Sequence, residues 1–259
     1  MTETGPWVTG LQRSDRTVYA VAGATGVALG GILSAVVLTA IVGLGVSLAG
    51  LTLSTVHQFV VLLVAGALGL AAAAMIYVRT RGLALFDYVG FDVPSLRDLL
   101  WAFAGYVGAL SLVFFAGVIL TILQISPDTA NQAAVAGGKN PTLLLWLVPL
   151  SFLVIAPGEE LLFRGVVQGR LREAFRPRIA IPATAGLFAV IHYFSLTGGS
   201  GARFIAISIL FFPSLVFGLA YERTRNLLVP ILIHGAYNST LVLLFYVVVQ
   251  FSRQPVVPT

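Results

Sequence analysis

Residues 17–78 read TVYAVAGATGVALGGILSAVVLTAIVGLGVSLAGLTLSTVHQFVVLLVAGALGLAAAAMIYV, and no residue between Arg16 and Arg79 carries a formal charge. A helix that crosses a bilayer needs about 20 apolar residues. This stretch is too long for one span, so it must hold two helices with a short turn between them. Residues 50–58, where Gly50, Thr52, Ser54, Thr55 and Gln58 gather, are the expected turn. The first helix then covers residues 18–48 and the second 59–77. The first run is too long for a signal-peptide core and no small-residue cleavage site follows it, so it reads as a retained span. His57, in or beside the turn, reads as a solvated loop histidine rather than a ligand.

The rest of the chain has the same character. Of its 259 residues 58% are apolar and 10% charged, against roughly 25% charged in an ordinary soluble domain. The expected fold is an all-α, polytopic transmembrane helical bundle of about seven spans. After a polar stretch at 79–98, whose Phe86, Tyr88, Val89 and Phe91 suggest a segment lying at the interface, the third span runs over 99–125. Residues 126–141, rich in Asp, Asn, Gly and Pro, read as a solvent loop. The fourth span starts near Thr142, the fifth covers 179–196, the sixth 204–221 and the seventh 227–251. By region, 1–98 holds two spans and the interfacial segment, 99–251 the remaining core, and 252–259 a polar tail.

Charge orients the bundle. With the amino terminus in the cytoplasm, Arg13, Arg16, Arg79, Arg81, Arg97, Arg170, Arg172, Arg176, Arg178, Arg223 and Arg225 all fall on the cytoplasmic side. Only Lys139, Arg203 and Arg253 fall outside, which is the asymmetry that multi-pass proteins show. The net charge of +5 is thereby accounted for, and no basic cluster interleaved with aromatics points to nucleic acid. There are no cysteines, which removes disulfides, thiolate nucleophiles and cysteine metal sites.

Ionisable groups inside spans cost about 2.5 to 3.5 kcal/mol each, so they are rare unless they pair or act. Five fall in the second half of this chain: Glu159, Glu160 and Arg164 on the fourth span, His192 on the fifth and His234 on the seventh. Singly, each could be a structural polar group that fixes helix packing. Their spacing says more. Glu160 and Arg164 are four apart, in the order that favours an ion pair along one face. Glu159 lies about 100 degrees round the helix and faces elsewhere. His234 and Asn238 share a face one turn apart. Pro157 and Gly158 precede the glutamates and could open the backbone to water. Counted from the nearest cytoplasmic arginine, Glu159 lies about 16 Å deep, His192 about 21 Å and His234 about 13 Å. A carboxylate there can take a proton from water and return it to a leaving amine, while imidazole and amide groups hold the water and the oxyanion.

The same residues carry a family resemblance. Glu159-Glu160-Leu161-Leu162-Phe163-Arg164 is similar to the EExxxR motif, Phe188-Ala189-Val190-Ile191-His192 to FxxxH, and His234-Gly235-Ala236-Tyr237-Asn238 to HxxxN. These are motifs of the CAAX-protease and bacteriocin-processing family of intramembrane peptidases, CPBP or Abi. All three occur in family order, with no departure at a motif position, over residues 99–251. The resemblance implies an endopeptidase acting on membrane-associated or prenylated protein substrates in the bilayer. In it Glu159 activates water, His192 and His234 hold that water or a metal, and Asn238 supports the oxyanion. Glu160 and Arg164 would be accessory, keeping Glu159 oriented. No cofactor is firmly implied. Zinc is possible on the ligand set, with His192 and His234 as ligands, although the HExxH pattern is absent.

Three other readings compete. Gly198-Gly199-Ser200-Gly201 resembles the GxSG motif of rhomboid serine peptidases, yet it sits in an outer connection, away from His234. Buried Glu and His also make proton relays, so a proton-coupled transporter is a second reading, against which the lack of repeated halves counts. A non-catalytic scaffold is the third, and the filled motif positions weigh against it.

Overall fold

The computed structural model describes residues 13–252, and its regular structure there is helical, with one isolated β-bridge. The tail from residue 253 on, with Arg253, lies outside the described residues. Among the described residues seven helices are long and apolar enough to cross a membrane, in line with the composition. In chain order the elements are α1 (Arg13–Leu48), α2 (Thr55–Thr80), the short α3 (Leu85–Val89), α4 (Leu96–Ile122), the short α5 (Gln132–Lys139), α6 (Thr142–Arg172), α7 (Pro177–Ile191), α8 (Ser200–Thr224) and α9 (Leu228–Ser252).

Local chemistry sets several boundaries away from where hydropathy puts them. Ser54 accepts from the His57 amide and so starts α2 at Thr55, inside the expected turn. His57 is therefore an exposed first-turn residue, its Nδ1 2.8 Å from Ser54 Oγ. A reciprocal capping box between Ser95 and Asp98 starts α4 at Leu96. The expected solvent loop at 126–141 contains α5, because Asn131 accepts from the Ala133 amide and an alanine-rich turn follows.

Two ends of the bundle are tied. At one, Arg81 meets Glu173 at 2.5 Å, Arg170 pairs with the same carboxylate, and Arg172 and Arg225 share Glu222 at 3.1 and 2.7 Å. The α3 segment is clamped there too. The Leu227 amide donates to Gly90 O at 2.6 Å, Tyr221 Oη to Val89 O at 2.8 Å, and Val89 is buried. At the other end, residues 129–131 bridge to 196–197, with the Thr197 amide 2.9 Å from Ala130 O. The basic connections predicted to share one side therefore do lie together.

α1 and α2 carry no motif, but they wall the helix that does. Ala24, Val27, Ala28, Ala74 and Val78 share one core with Leu162, Phe163, Val166 and Phe188. Small residues permit the approach. A Cβ on Gly69 would lie 2.5 Å from Ala35 Cα, and one on Gly158 2.6 Å from Ala67 O.

That contact corrects the expectation that Pro157 and Gly158 open the backbone. α6 stays helical from Thr142 to Arg172, but it widens into π turns at Ser151–Ile155 and Leu161–Gln168, either side of Ala156–Glu160. Pro157 has no amide hydrogen and its ring displaces a carbonyl of the preceding turn. The π register absorbs both by passing bonds to the fifth residue, as in Ala156 N to Ser151 O. Gly158→Ala is expected to lower stability by about 1 to 3 kcal/mol through overpacking against α2. Thermal unfolding in detergent beside Gly186→Ala, where a Cβ meets nothing within 4 Å, checks this.

Candidate active site

The π-flanked turn of α6 presents two consecutive glutamates in different directions, and the seventh span receives both. His234 Nδ1 donates to Glu160 Oε1 at 2.7 Å, while its Nε2 lies 3.9 Å from Glu159 Oε2. One imidazole is thus bracketed by Glu159 and Glu160. Behind Glu160, Arg164 Nε stands 3.2 Å from Oε2, both side chains fully buried. So the ion pair read from the i, i+4 spacing is present, but Glu160 spends its other oxygen on His234 rather than on Glu159.

His192 enters from the end of α7. The last turn there tightens, with the His192 amide bonded to Ala189 O and Val190 O. Its ring Nδ1 takes the Phe188 carbonyl instead, at 2.7 Å. A carbonyl oxygen only accepts, so Nδ1 carries the hydrogen and Nε2 is left with a lone pair. The same logic holds for His234, whose Nδ1 faces an ion-paired carboxylate. His192 Nε2 lies 3.7 Å from Glu159 Oε2, so two imidazole lone pairs converge on one carboxylate oxygen. That oxygen has no hydrogen-bond partner among the described residues.

The cluster is neither sealed nor open. The side chains of Glu159 and His192 are 16% and 21% exposed, and that of His234 5%. Arg170 lies within α6 and Arg178 within the first turn of α7, so residue distance from these arginines does not measure depth in the bilayer. Asn238, half-buried one turn beyond His234 on α9, makes no side-chain hydrogen bond among the described residues. Ser200 is an exposed first residue of α8. It lies about 21 Å along that helix from Ser214, which is hydrogen-bonded to Arg164 within the cluster, so a serine nucleophile paired to His234 does not fit.

Three partners escaped the sequence reading, all on α8 or reached through it. Arg164 Nη2 donates to Ser214 Oγ at 2.7 Å and to Ser214 O at 3.0 Å. Phe217 stacks on the His234 ring with centroids 5.0 Å apart and planes at 22°. Gln168, fully buried, donates to Gly218 O at 3.1 Å. Phe188, read only as a motif position, touches both histidines, at 4.5 and 5.9 Å between centroids.

Residues 141–240, from the start of α6 well into α9, match the family described as type II CAAX prenyl endopeptidase Rce1-like. That stretch holds all three motifs and every group of the cluster. The stretch that carries the cluster is thus similar to the CAAX-endopeptidase family. A relative, the membrane-embedded CAAX protease MroQ of Staphylococcus aureus (strain USA300), is 28% identical over 160 residues, 58% of this chain and 59% of that protein. The chain thus spans less than two thirds of that relative's length. No solved structure matches the chain.

The cluster offers a donor set that zinc uses, but not its spacing. Ligand atoms on a tetrahedral ion with bonds of about 2.1 Å stand about 3.4 Å apart, and here Glu159 Oε2 stands 3.7 and 3.9 Å from the two nitrogens. Among the described residues no three such groups are arranged to hold a metal ion. The metallopeptidase expectation is therefore not supported by this arrangement.

Proposed function

We propose that this chain is an intramembrane endopeptidase that hydrolyses membrane-associated or prenylated protein substrates with a water activated by Glu159. The convergence of Glu159 Oε2 with two imidazole lone pairs carries the reading, and the family match of the same residues supports it. A water between Glu159 and His192 donates one hydrogen to each acceptor, which leaves its lone pair for a carbonyl carbon. Glu159 takes the proton as the carbon–oxygen bond forms, then returns it to the leaving amine. His234, whose imidazolium form Glu160 stabilises at Nδ1, takes a proton from solvent at Nε2 before the attack, donates that N–H to the developing oxyanion as a hydrogen bond, and returns the proton to solvent after product release. Asn238 supplies a second donor to that oxygen. No step is routed through a metal.

The arginine-rich end of the bundle faces the cytoplasm in this reading, with the amino terminus on that side, and in a prokaryote the membrane would be the cell membrane. Substrates reach the cluster from the bilayer, and no nucleic acid takes part.

The test is cleavage of a panel of membrane-anchored and prenylated peptides by the purified full chain, with and without a chelator. Cleavage unaffected by chelator is expected, whereas loss with rescue by zinc would overturn the metal-free mechanism. Asn238→Ala is expected to lower kcat about 100-fold by removing an oxyanion donor, and Ser200→Ala to change nothing. A pH-dependent flux in liposomes that survived Asn238→Ala, with no cleavage of any peptide, would favour transport instead.

A further inference from the structure

The chemistry read from the motifs uses α6, α7 and α9, yet α8 also touches their side chains. From Ser214 a chain of contacts runs through Arg164 and Glu160 to His234. Ser214 Oγ and O accept from Arg164 Nη2 at 2.7 and 3.0 Å. Arg164 Nε faces Glu160 Oε2 at 3.2 Å, and Glu160 Oε1 accepts from His234 Nδ1 at 2.7 Å. One turn along α8, Phe217 lies flat against the His234 ring and beneath the Arg164 guanidinium, 5.5 Å from its centroid.

We propose that Ser214 and Phe217 are positioning residues that hold His234 in the Nδ1-protonated tautomer, with its Nε2 aimed at Glu159. The inference rests on the peptidase reading for its kinetic part only. Two facts distinguish this from ordinary packing. Arg164 Nε and Nη1 have no hydrogen-bond partner among the described residues, so both guanidinium hydrogen bonds go to Ser214. And Phe217 is nearly parallel to the imidazole, so it opposes ring flipping, which an edge contact would not do. A flip of His234 by 180° would take Nδ1 from Glu160 and turn the lone pair away from Glu159.

The relation extends along the helices. Arg164 meets Ser214, Gln168 meets Gly218 O, and Arg172 meets Glu222, each with the same sequence offset. α6 and α8 therefore run parallel in a single polar register, which fixes how far along α6 the glutamates sit relative to Phe217. Ser214 sits in that register opposite the only buried cation of the cluster, one place after Pro213, whose ring is tolerated inside α8.

The protein has three histidines, so ring-nitrogen NMR shifts of isotope-labelled histidine in the detergent-solubilised full chain can report the tautomer of each. Ser214→Ala and Phe217→Leu are expected to convert the single Nδ1-protonated signal of His234 into a mixture and to leave His192 unchanged. Ser214→Thr, which keeps the hydroxyl, should restore the single signal. In the cleavage assay Ser214→Ala should lower kcat roughly tenfold, the scale of one hydrogen bond to a charged group, with KM unchanged. A single unaltered tautomer in both variants, or a Ser214→Ala effect that Ser214→Thr fails to rescue, overturns the proposal. If the wild type cleaves nothing, the peptidase reading fails, while the tautomer experiment still decides the role of α8.

Discussion

Glu159→Gln is expected to lower kcat by about 100- to 10,000-fold, the range for loss of a positioned general base, with KM little changed. The substitution keeps the side chain's size and one carbonyl oxygen, so water can still bind between the amide and His192. What it removes is the acceptor for the water's proton. Glu160 cannot replace it, because it is fully buried with Oε1 bonded to His234 and Oε2 facing Arg164. Initial-rate kinetics on a membrane-anchored peptide measures the effect. Cleavage retained in Glu159→Gln but lost in Glu160→Gln would exchange the roles of the two residues and sink the proposed water position.

The sequence made the spans legible because long apolar runs in lipid must satisfy their backbone internally, and the seven apolar helices among the described residues fit that reading. It also made the ionisable cluster legible, since charged groups in spans stand out against an apolar background. The i, i+4 spacing of Glu160 and Arg164 was a real intrahelical pair. What could not be read was the use of the second glutamate oxygen. Whether Glu160 supports Glu159 or His234 depends on how α9 docks against α6, and the π turns that set this have no spacing signature. Ser214 and Phe217 were invisible for the opposite reason. A serine and a phenylalanine are ordinary in a membrane helix, and only a neighbouring arginine makes the serine consequential. Single caps such as Ser54 and Asn131 set helix starts that the hydropathy of a long run does not mark.

Arg164→Met is expected to destabilise the protein by about 3 to 5 kcal/mol, the usual result of leaving one member of a buried ion pair without its partner. Met fills much of the arginine stem's volume and can pack between Phe188 and Phe217, whose rings the guanidinium now faces at 4.7 and 5.5 Å. The loss is therefore chiefly that of charge compensation for Glu160. The double variant Glu160→Gln with Arg164→Met tests this directly. It removes both charges, and the glutamine carbonyl can still accept from His234 Nδ1, so thermal stability in detergent should return most of the way to wild type. Turnover should not return with it. A neutral amide at Nδ1 offers His234 much weaker support when Nε2 takes up a proton, and the Ser214 link to α8 is gone. Recovery of both stability and turnover in the double variant would make the buried pair a packing device alone. Recovery of stability without turnover assigns its charge to the chemistry, and so gives a physical reason for a costly ion pair to stand beside a water-activating carboxylate in the interior of a membrane protein.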